Sequence, residues 1–233
     1  LFEITELNSF YDKAQILFDI NLRVNEGELV AILGRNGVGK TTLLKSIMNI
    51  EVVKKGRVRF RQQDITFLFT YRIASLGASY VPDYTGLIPV ISVLDNLRLS
   101  AGRKNVDLRL AKELYPQIDE LLSKKADILS GGERKIVAII RSLMSDPTLV
   151  LLDEPTEGVG PLVAKRIYEP VSKMREQGLT VVVVEQGTRF SSVRKLADRL
   201  LVMVNGRIVF ETTRYRVESE LETIKSYLAM SAS

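Results

Sequence analysis

A glycine-rich segment with a single lysine, near the start of the chain, constrains the fold more than any other feature. Its residues, Gly34-Arg35-Asn36-Gly37-Val38-Gly39-Lys40-Thr41-Thr42, follow the pattern G-x-x-x-x-G-K-[ST]. The residues before it, 28–33, are predicted to form a buried strand, and residues 42–48 are predicted to form a helix. This order is typical of a phosphate-binding loop, because successive N–H groups and the helix N-terminus then face one anion.

The loop predicts binding of ATP or GTP through residues 34–42. Lys40 would place a positive charge at the β- and γ-phosphates, and the hydroxyl of Thr41 would be a ligand of Mg²⁺. The alternative is a glycine-rich turn that carries a lysine by coincidence. That alternative leaves the flanking strand and helix unexplained.

A second loop of small residues, Leu129-Ser130-Gly131-Gly132-Glu133-Arg134, precedes an apolar-rich segment at residues 136–140. We expect it to open a helix, whose N-terminal backbone donors could face a second anion. On its own, Ser-Gly-Gly is also typical of a turn or a helix N-cap.

An apolar run at residues 149–152 ends in two acids, Asp153 and Glu154. Such a run is typical of a central parallel strand, and ligands bind at the carboxyl ends of strands in α/β sheets. We expect Asp153 to hold Mg²⁺ and Glu154 to polarise the attacking water. The alternative is an acidic pair that closes a strand at the surface.

In this order, the three motifs resemble the nucleotide-binding subunit of an ATP-binding cassette (ABC) transporter over essentially the whole chain. The resemblance implies an α/β fold: a P-loop NTPase core with a mainly parallel sheet, an antiparallel N-terminal β subdomain and a helical subdomain. It implies a single ABC-type domain over residues 1–233. Its parts would be a core at about 1–87 and 146–212, a helical subdomain at about 88–145 and a C-terminal helical segment at about 213–233.

In that family, two cassettes dimerise head to tail around two ATP molecules. The resemblance therefore implies that Ser130, Gly131, Gly132 and Glu133 act in trans, on the ATP bound by a partner subunit. It implies ATP and Mg²⁺ as cofactors. The partners would be a second ATP-binding subunit, either a copy or a paralogue, and transmembrane permease subunits.

An aromatic residue ahead of the phosphate loop stacks on adenine in the family, and Tyr11 is the matching residue. The alternative that the sequence leaves open is a core residue of a strand.

Departures from the general family pattern point to one branch. Asp83 replaces a glutamine and could still be a ligand of Mg²⁺ or of a bound water, although it cannot donate a hydrogen bond. Gln186 replaces a histidine, and we assign it a catalytic role beside Glu154. Its alternative is a polar residue that ends a strand. An aspartate is missing after Thr156, where the chain reads Glu157-Gly158-Val159-Gly160-Pro161.

These departures, with residues 88–97 and 226–228, resemble the ATPase subunits of branched-chain amino acid importers. Three alternatives remain: a subunit of a lipid or drug exporter, a soluble ABC ATPase that acts on nucleic acid or ribosomes, and another P-loop enzyme such as a kinase. Repair and chromosome members separate the two motifs by long coiled coils, which the interval between Thr42 and Leu129 cannot hold.

Composition narrows the function classes. The chain has no cysteine and no histidine, which excludes disulfides, thiol catalysis, histidine-ligated metals and Ser-His catalysis. Its 33 basic and 28 acidic residues give a net charge of +5, too modest to predict a nucleic-acid partner. The sequence shows no membrane-spanning run and no signal segment, so we expect no direct insertion into the membrane. The resemblance then implies a cytoplasmic protein held at the inner face of the membrane by permease subunits. Because it begins at Leu1, we expect residues to be missing before it.

Other patterns predict individual elements. Residues 1–4, 16–22 and 56–60 are predicted to form antiparallel strands, and Asn205-Gly206 is a hairpin signal. Residues 180–184 are predicted to be a buried parallel strand. Helices are predicted at residues 93–97, 108–122 and 161–177, the last with a kink at Pro170.

Overall fold

Two β-sheets and the helices packed on them make up the computed structural model, which describes residues 1–102 and 105–229. The strands are β1 (Phe2–Tyr11), β2 (Ala14–Val24), β3 (Leu29–Gly34), β4 (Val53–Phe60), β5 (Gln63–Asp64), β6 (Ala78–Val81), β7 (Leu149–Asp153), β8 (Thr180–Gln186), β9 (Arg199–Val204) and β10 (Arg207–Thr213). The α-helices are α1 (Lys40–Met48), α2 (Thr70–Ser75), α3 (Val93–Ala101), α4 (Leu108–Leu114), α5 (Gly131–Leu143), α6 (Pro161–Glu176), α7 (Phe190–Val193) and α8 (Leu221–Ala229). Short 3-10 helices cover Pro116–Glu120, Ala126–Ile128 and Gly187–Arg189.

The two sheets differ in strand direction. The first has the order β2-β1-β4-β5 and is antiparallel. The second has the order β10-β9-β3-β8-β7-β6 and is parallel except for the β9–β10 pair. A mainly parallel sheet beside an antiparallel N-terminal sheet confirms the predicted fold class.

The central parallel strands β3, β7 and β8 are buried on both faces, and this explains the apolar runs at residues 29–33, 149–152 and 181–184. Along β3, Leu29, Ala31 and Leu33 pack into a core shared with α3, α4, α5 and α6. The alternating residues Val30 and Ile32 pack into a second core, shared with the antiparallel sheet and α1. Because side chains of a strand alternate between its faces, one short segment links two hydrophobic cores.

The predicted hairpin at Asn205-Gly206 is confirmed. Arg207 of β10 lies opposite Val204 of β9. Asn205 and Gly206 have φ angles of 46° and 73°, the left-handed conformation that a tight two-residue hairpin turn needs at both positions.

The prediction of one helix over residues 108–122 is wrong, because the structure divides this segment. α4 ends at Leu114, and a 3-10 helix starts at Pro116. Tyr115 between them is extended, with φ −145° and ψ 95°. The ring of a proline disfavours helical backbone in the residue before it, so Pro116 accounts for the break.

The predicted helix at residues 161–177 is observed as α6, with Pro161 in its first turn. It runs as one element across Pro170, and the kink there stays a prediction. Gly178 follows the helix with φ 81°, a conformation that favours glycine at a helix end.

The C-terminal helical prediction is met in part by α8. Residue 213, the first of the predicted C-terminal segment, still belongs to β10. Residues 230–233 of that segment lie outside the described residues. Residues 103 and 104 of the predicted helical subdomain also lie outside them. The predicted domain boundaries stay a prediction. Among the helices described, none is both long and apolar enough to cross a membrane.

A buried lysine lies under α1, the helix that follows the glycine-rich loop. Lys54 of β4 is 6% exposed, and its Nζ donates a hydrogen bond of 2.6 Å to the carbonyl oxygen of Ser46. Burial lowers the pKa of Lys54 from 10.5 to about 8, and the charge of Asp64 opposes that shift. Between these two pH values the unfolded chain holds a proton that the folded chain has released, so the free energy of unfolding rises with pH.

We predict that Lys54→Met raises the free energy of unfolding at pH 7, where the wild-type chain buries a charged ammonium. The advantage of the variant should shrink by up to about 3 kcal/mol between pH 8 and pH 10.5, as the wild-type lysine loses its proton. Urea denaturation of both proteins across this pH range measures the difference. A difference that does not change with pH would contradict the assignment to Lys54.

Candidate nucleotide-binding and hydrolysis site

The glycine-rich loop joins the end of β3 to the start of α1 at the carboxyl edge of the parallel sheet. Gly37 and Gly39 have φ angles of 81° and 105°, which other residues rarely adopt. Gly39 immediately precedes the first residue of α1, so the loop leads directly into the helix N-terminus. This is the backbone arrangement that binds an anion in phosphate-binding loops.

The ammonium group of Lys40 contacts both the main chain of the loop and Glu154. Its Nζ donates hydrogen bonds to the carbonyl oxygens of Gly34, at 3.0 Å, and Arg35, at 2.8 Å. It also forms an ion pair of 2.9 Å with Oε1 of Glu154, and the side chains are 2% and 12% exposed. The fold therefore brings together the predicted phosphate-binding lysine and the predicted general base.

Asp153 lies at the end of β7, beside the first turn of α1. The hydroxyl of Thr41 donates to its Oδ1 at 3.0 Å, and the hydroxyl of Tyr80 donates to its Oδ2 at 2.8 Å. Burial raises the pKa of the Asp153 carboxyl, and these two hydrogen bonds oppose that increase. Burial of Tyr80 and the charge of Asp153 raise the pKa of the Tyr80 hydroxyl. Because this group keeps its proton, it stays a hydrogen-bond donor.

The hydroxyl of Thr41 and the carboxylate of Asp153 supply hard oxygen donors, the type that Mg²⁺ prefers. In residues 1–102 and 105–229, no three acidic side chains converge as a metal cage. Mg²⁺ usually keeps several waters and takes phosphate oxygens, so a site with few protein ligands fits it.

Asp83, the third predicted metal ligand, is exposed in the turn after β6. Its Oδ1 accepts a hydrogen bond of 2.8 Å from the N–H of Tyr84. Its negative charge contributes to the raised pKa of Asp153, so the two carboxylates face the same region.

The backbone of Glu154 adopts a left-handed conformation, with φ 43°. Its N–H donates to the carbonyl oxygen of Val184 at 3.0 Å. Its own carbonyl oxygen accepts from the N–H of Glu157, at 3.0 Å, and from Nζ of Lys135, at 3.1 Å. These contacts fix the main chain at the point where the acidic side chain leaves the strand.

Gln186, the other predicted catalytic residue, ends β8 and lies opposite Gly34 in the parallel pairing. Its Oε1 accepts a hydrogen bond of 3.1 Å from the hydroxyl of Thr188. The structure thus places Gln186 on the strand next to the phosphate-binding loop.

A buried carboxyl precedes Gln186 and braces the turn after Glu154. Oε1 of Glu185 accepts hydrogen bonds from the N–H and hydroxyl of Thr156, at 3.1 and 2.7 Å, and from the hydroxyl of Tyr168, at 2.9 Å. Burial raises the pKa of Glu185, although these hydrogen bonds oppose the shift. Glu185 thereby connects β8 to the turn and to α6.

Tyr11 is 36% exposed at the end of β1, where it pairs with Ala14. This position does not support the alternative in which it is a core residue. Tyr11 interacts electrostatically with Lys45 of α1, which places the phenol group on the side of that helix.

The Ser-Gly-Gly segment caps α5. The hydroxyl of Ser130 accepts from the N–H of Glu133 at 3.2 Å, and Oε2 of Glu133 accepts from the N–H of Ser130 at 2.8 Å. The hydrogen bonds that Ser130 makes to the carboxyl group of Glu133 lower the pKa of that group. Ser130 and Gly131 are exposed, and within the described part of the chain no hydrogen bond or ion pair joins them to residues 34–42.

Gly132 lies against the next helix. A Cβ built on this glycine would be 2.4 Å from Cγ1 of Val163, in α6. The valine side chain is β-branched and stiff, so it cannot easily make room. Only glycine fits this point of the α5–α6 contact without movement.

Three residues that touch the site were missed by the sequence analysis: Tyr80, Lys135 and Glu185. Each acts through a partner distant in the sequence, respectively Asp153, Glu154 and Thr156. The one available signal was the charge of Glu185, directly after the apolar residues 181–184 of β8.

Comparison with known proteins agrees with this geometry. Residues 17–157 match the sequence profile of the family described as ABC transporter. The branched-chain amino acid transport ATP-binding protein BraG of Pseudomonas aeruginosa is 34% identical over 213 residues, which cover 89% of this chain and 91% of BraG. The lipopolysaccharide export system ATP-binding protein LptB of Escherichia coli is 30% identical over 227 residues, covering 94% and 92% of the two chains.

A solved structure is similar to this chain over nearly its whole length. The ADP conformation of an ATP-binding cassette of an ABC transporter superimposes with a TM-score of 0.79 at 26% identity, and covers 99% of both chains. The match to the family profile extends from β2 through the glycine-rich loop to the turn after Asp153 and Glu154. The chain belongs to the ABC transporter family and is one of its ATP-binding, ATP-hydrolysing cassettes.

Proposed function

We propose that the chain is the ATP-hydrolysing subunit of a branched-chain amino acid importer, and that its chemistry takes place at the edge formed by β3, β8 and β7. The observation that supports this most is the convergence of Lys40, Glu154 and the Thr41–Asp153 pair at that edge. These groups come from separate segments, and each carries the chemistry that phosphoryl transfer requires.

In this proposal, ATP binds to residues 34–42 with its adenine stacked on Tyr11. The backbone N–H groups of the loop bind the phosphates, and Lys40 exchanges its contact with Glu154 for the β- and γ-phosphates. Thr41 and Asp153 hold Mg²⁺, with Asp83 as a further ligand directly or through water. When bound, the ion neutralises charge on the phosphates.

Glu154 accepts a proton from the attacking water in this scheme. Its carboxylate is free for that role once the Lys40 ammonium has moved to the phosphates. Gln186 can donate from its amide to a γ-phosphate oxygen and accept through its carbonyl oxygen, so it positions the reacting groups without taking up a proton. The main-chain contacts of Glu154 hold the backbone from which its carboxylate reaches Lys40.

We further propose that Ser130, Gly131, Gly132 and Glu133 act on the ATP bound by a second subunit. The exposure of Ser130 and Gly131 and their position at the N-terminus of α5 support this role. The second subunit is either a copy of this chain or a paralogue. Both would lie on the cytoplasmic face of the membrane, bound to permease subunits, without inserting into the bilayer.

The similarity to BraG, which is named as a branched-chain amino acid transport protein, and the residues at positions 83 and 186 favour an amino acid importer. The similarity to LptB, which is named as part of a lipopolysaccharide export system, keeps a lipid exporter as the alternative. A soluble cassette that acts on nucleic acid or ribosomes has no specific observation in its favour, and the net charge is modest.

Deleting the gene in its source organism should remove most of the uptake of radiolabelled leucine, isoleucine or valine. A plasmid copy of the wild-type gene should restore uptake, and a Lys40→Ala copy should not, because the lysine compensates phosphate charge. Unchanged amino acid uptake with a defect in the cell envelope would favour the exporter.

We predict that Glu154→Gln binds Mg-ATP and dimerises but hydrolyses ATP about 10²–10⁴-fold more slowly, because the amide cannot accept a proton. Light scattering should show a dimer with ATP and a monomer with ADP. The Lys40→Ala chain is the matched control and should bind neither nucleotide well. Wild-type turnover by Glu154→Gln would contradict the role of Glu154.

Gln186→Ala should retain ATP affinity and lose turnover equivalent to about 2–4 kcal/mol of transition-state stabilisation. Gln186→His should keep most of the activity, since histidine can donate a hydrogen bond from the same position. Steady-state kinetics of both variants separate kcat from KM. Near-wild-type hydrolysis by the alanine variant would show that Gln186 only ends the strand.

A further inference from the structure

Lys135 connects the helix that carries the Ser-Gly-Gly segment with the turn that carries Glu154. It lies in the second turn of α5, which begins at Gly131. Its Nζ donates a hydrogen bond of 3.1 Å to the main-chain carbonyl oxygen of Glu154. The contact joins residues 19 positions apart and links two segments that the proposed function assigns to different ATP molecules.

The ammonium of Lys135 is also a counter-charge for the acidic edge of the sheet. It interacts electrostatically with the carboxylates of Glu185, Glu157, Asp83 and Glu154. Burial lowers the pKa of Lys135, and these four negative charges oppose that decrease. The side chain thus lies among negative charges, in addition to its hydrogen bond.

The backbone of Glu154 needs such support. A left-handed conformation, here with φ 43°, is unfavourable for a residue with a side chain. Its carbonyl oxygen has two donors, the N–H of Glu157 from the adjacent turn and Nζ of Lys135 from α5. Of these two contacts, the one made by Lys135 connects the turn that holds Glu154 to α5.

The contacts of this carbonyl group and of the Glu154 N–H hold the peptide groups on both sides of the Glu154 Cα, and so restrain the point from which the side chain leaves the main chain. A general base must lie within hydrogen-bond distance of the water whose proton it takes. Misplacing a reacting group by about 1 Å can reduce the rate about 10²-fold. A change in the position of α5 would therefore reach Glu154 through Lys135.

We propose that Lys135 is a positioning residue, which sets the main chain of Glu154 from α5 and so couples the Ser130–Glu133 segment to the general base of the same chain. The proposal rests on the proposed function, in which Glu154 is the general base and residues 130–133 contact the ATP of the partner. Lys135 itself need touch neither the nucleotide nor the attacking water.

The test compares Lys135→Met, Lys135→Arg and a matched control, Lys225→Met, in the assembly that gives wild-type hydrolysis. Lys225 is exposed on α8 and pairs with Glu222, which is also exposed. We expect Lys135→Met to lower kcat about 10–100-fold, while KM for ATP and Kd for ADP stay within about twofold. Lys135→Arg should restore kcat to within about threefold of wild type, and Lys225→Met should behave as wild type.

Thermal unfolding of each variant separates positioning from folding. If Lys135→Met does not fold, Lys135→Gln is measured in its place. We expect the same kinetics, because the shorter glutamine side chain does not reach the carbonyl oxygen of Glu154. Wild-type kcat in the folded Met or Gln variant would overturn the proposal. So would a loss of kcat accompanied by an equal loss of ADP affinity, or one that arginine does not restore.

Glu154→Gln, measured in the same assay, distinguishes this inference from the proposed function. Wild-type hydrolysis by Glu154→Gln would overturn the role of Glu154, and the proposal for Lys135 with it. An inactive Glu154→Gln together with a fully active Lys135→Met would overturn the proposal for Lys135 alone.

Discussion

The site depends on the parallel pairing of β3 with β8 and of β8 with β7. In this register Gly34 lies opposite Gln186, and Asp153 lies opposite Val184. The segments that leave the carboxyl ends of these strands must therefore meet at one edge. The Lys40–Glu154 and Thr41–Asp153 contacts follow from that register, because each joins residues from different segments at the same edge. A shift by one residue would turn the side chains of a strand to its other face.

The same edge concentrates negative charge. Asp153 and Glu185 are almost fully buried, and burial raises the pKa of both carboxyls. Lys40 and Lys135 supply positive charge among these groups, and hydroxyl groups of Thr41, Tyr80, Thr156 and Tyr168 supply donors. Buried carboxylates need such partners, since an unpaired buried charge is costly. An edge of this composition suits a polyphosphate that arrives with its own cation.

Much of the fold could be predicted because its signals are local. The apolar run of β7, the glycine-rich loop and the Asn205-Gly206 turn each carry their structure in adjacent residues. The break between α4 and the following 3-10 helix was also encoded locally, by Pro116, but the apolar spacing on both sides concealed it. The structural propensities of residues and the periodicity of apolar residues each describe one helix or strand at a time.

The contacts of Tyr80, Lys135 and Glu185 could not be predicted, because they cross between elements. Tyr80 reaches Asp153 since β6 and β7 are paired neighbours, and Lys135 reaches Glu154 since the start of α5 lies next to the turn after β7. Both facts depend on tertiary arrangement. The roles of the motif residues were suggested by their chemical types, whereas the groups that hold them in position come together only in the folded chain.

Gly132 has a packing role inside the chain, at a position of the Ser-Gly-Gly segment. Its missing side chain lets α5 approach α6 so closely that a methyl group would collide with Val163. Any larger residue there would require the Val163 side chain or the two helices to move inside one chain, before a second subunit or a nucleotide is present. A loss of function caused by such a substitution in a genetic screen would therefore not by itself show a contact between Gly132 and phosphate, because the packing of the two helices is disturbed as well.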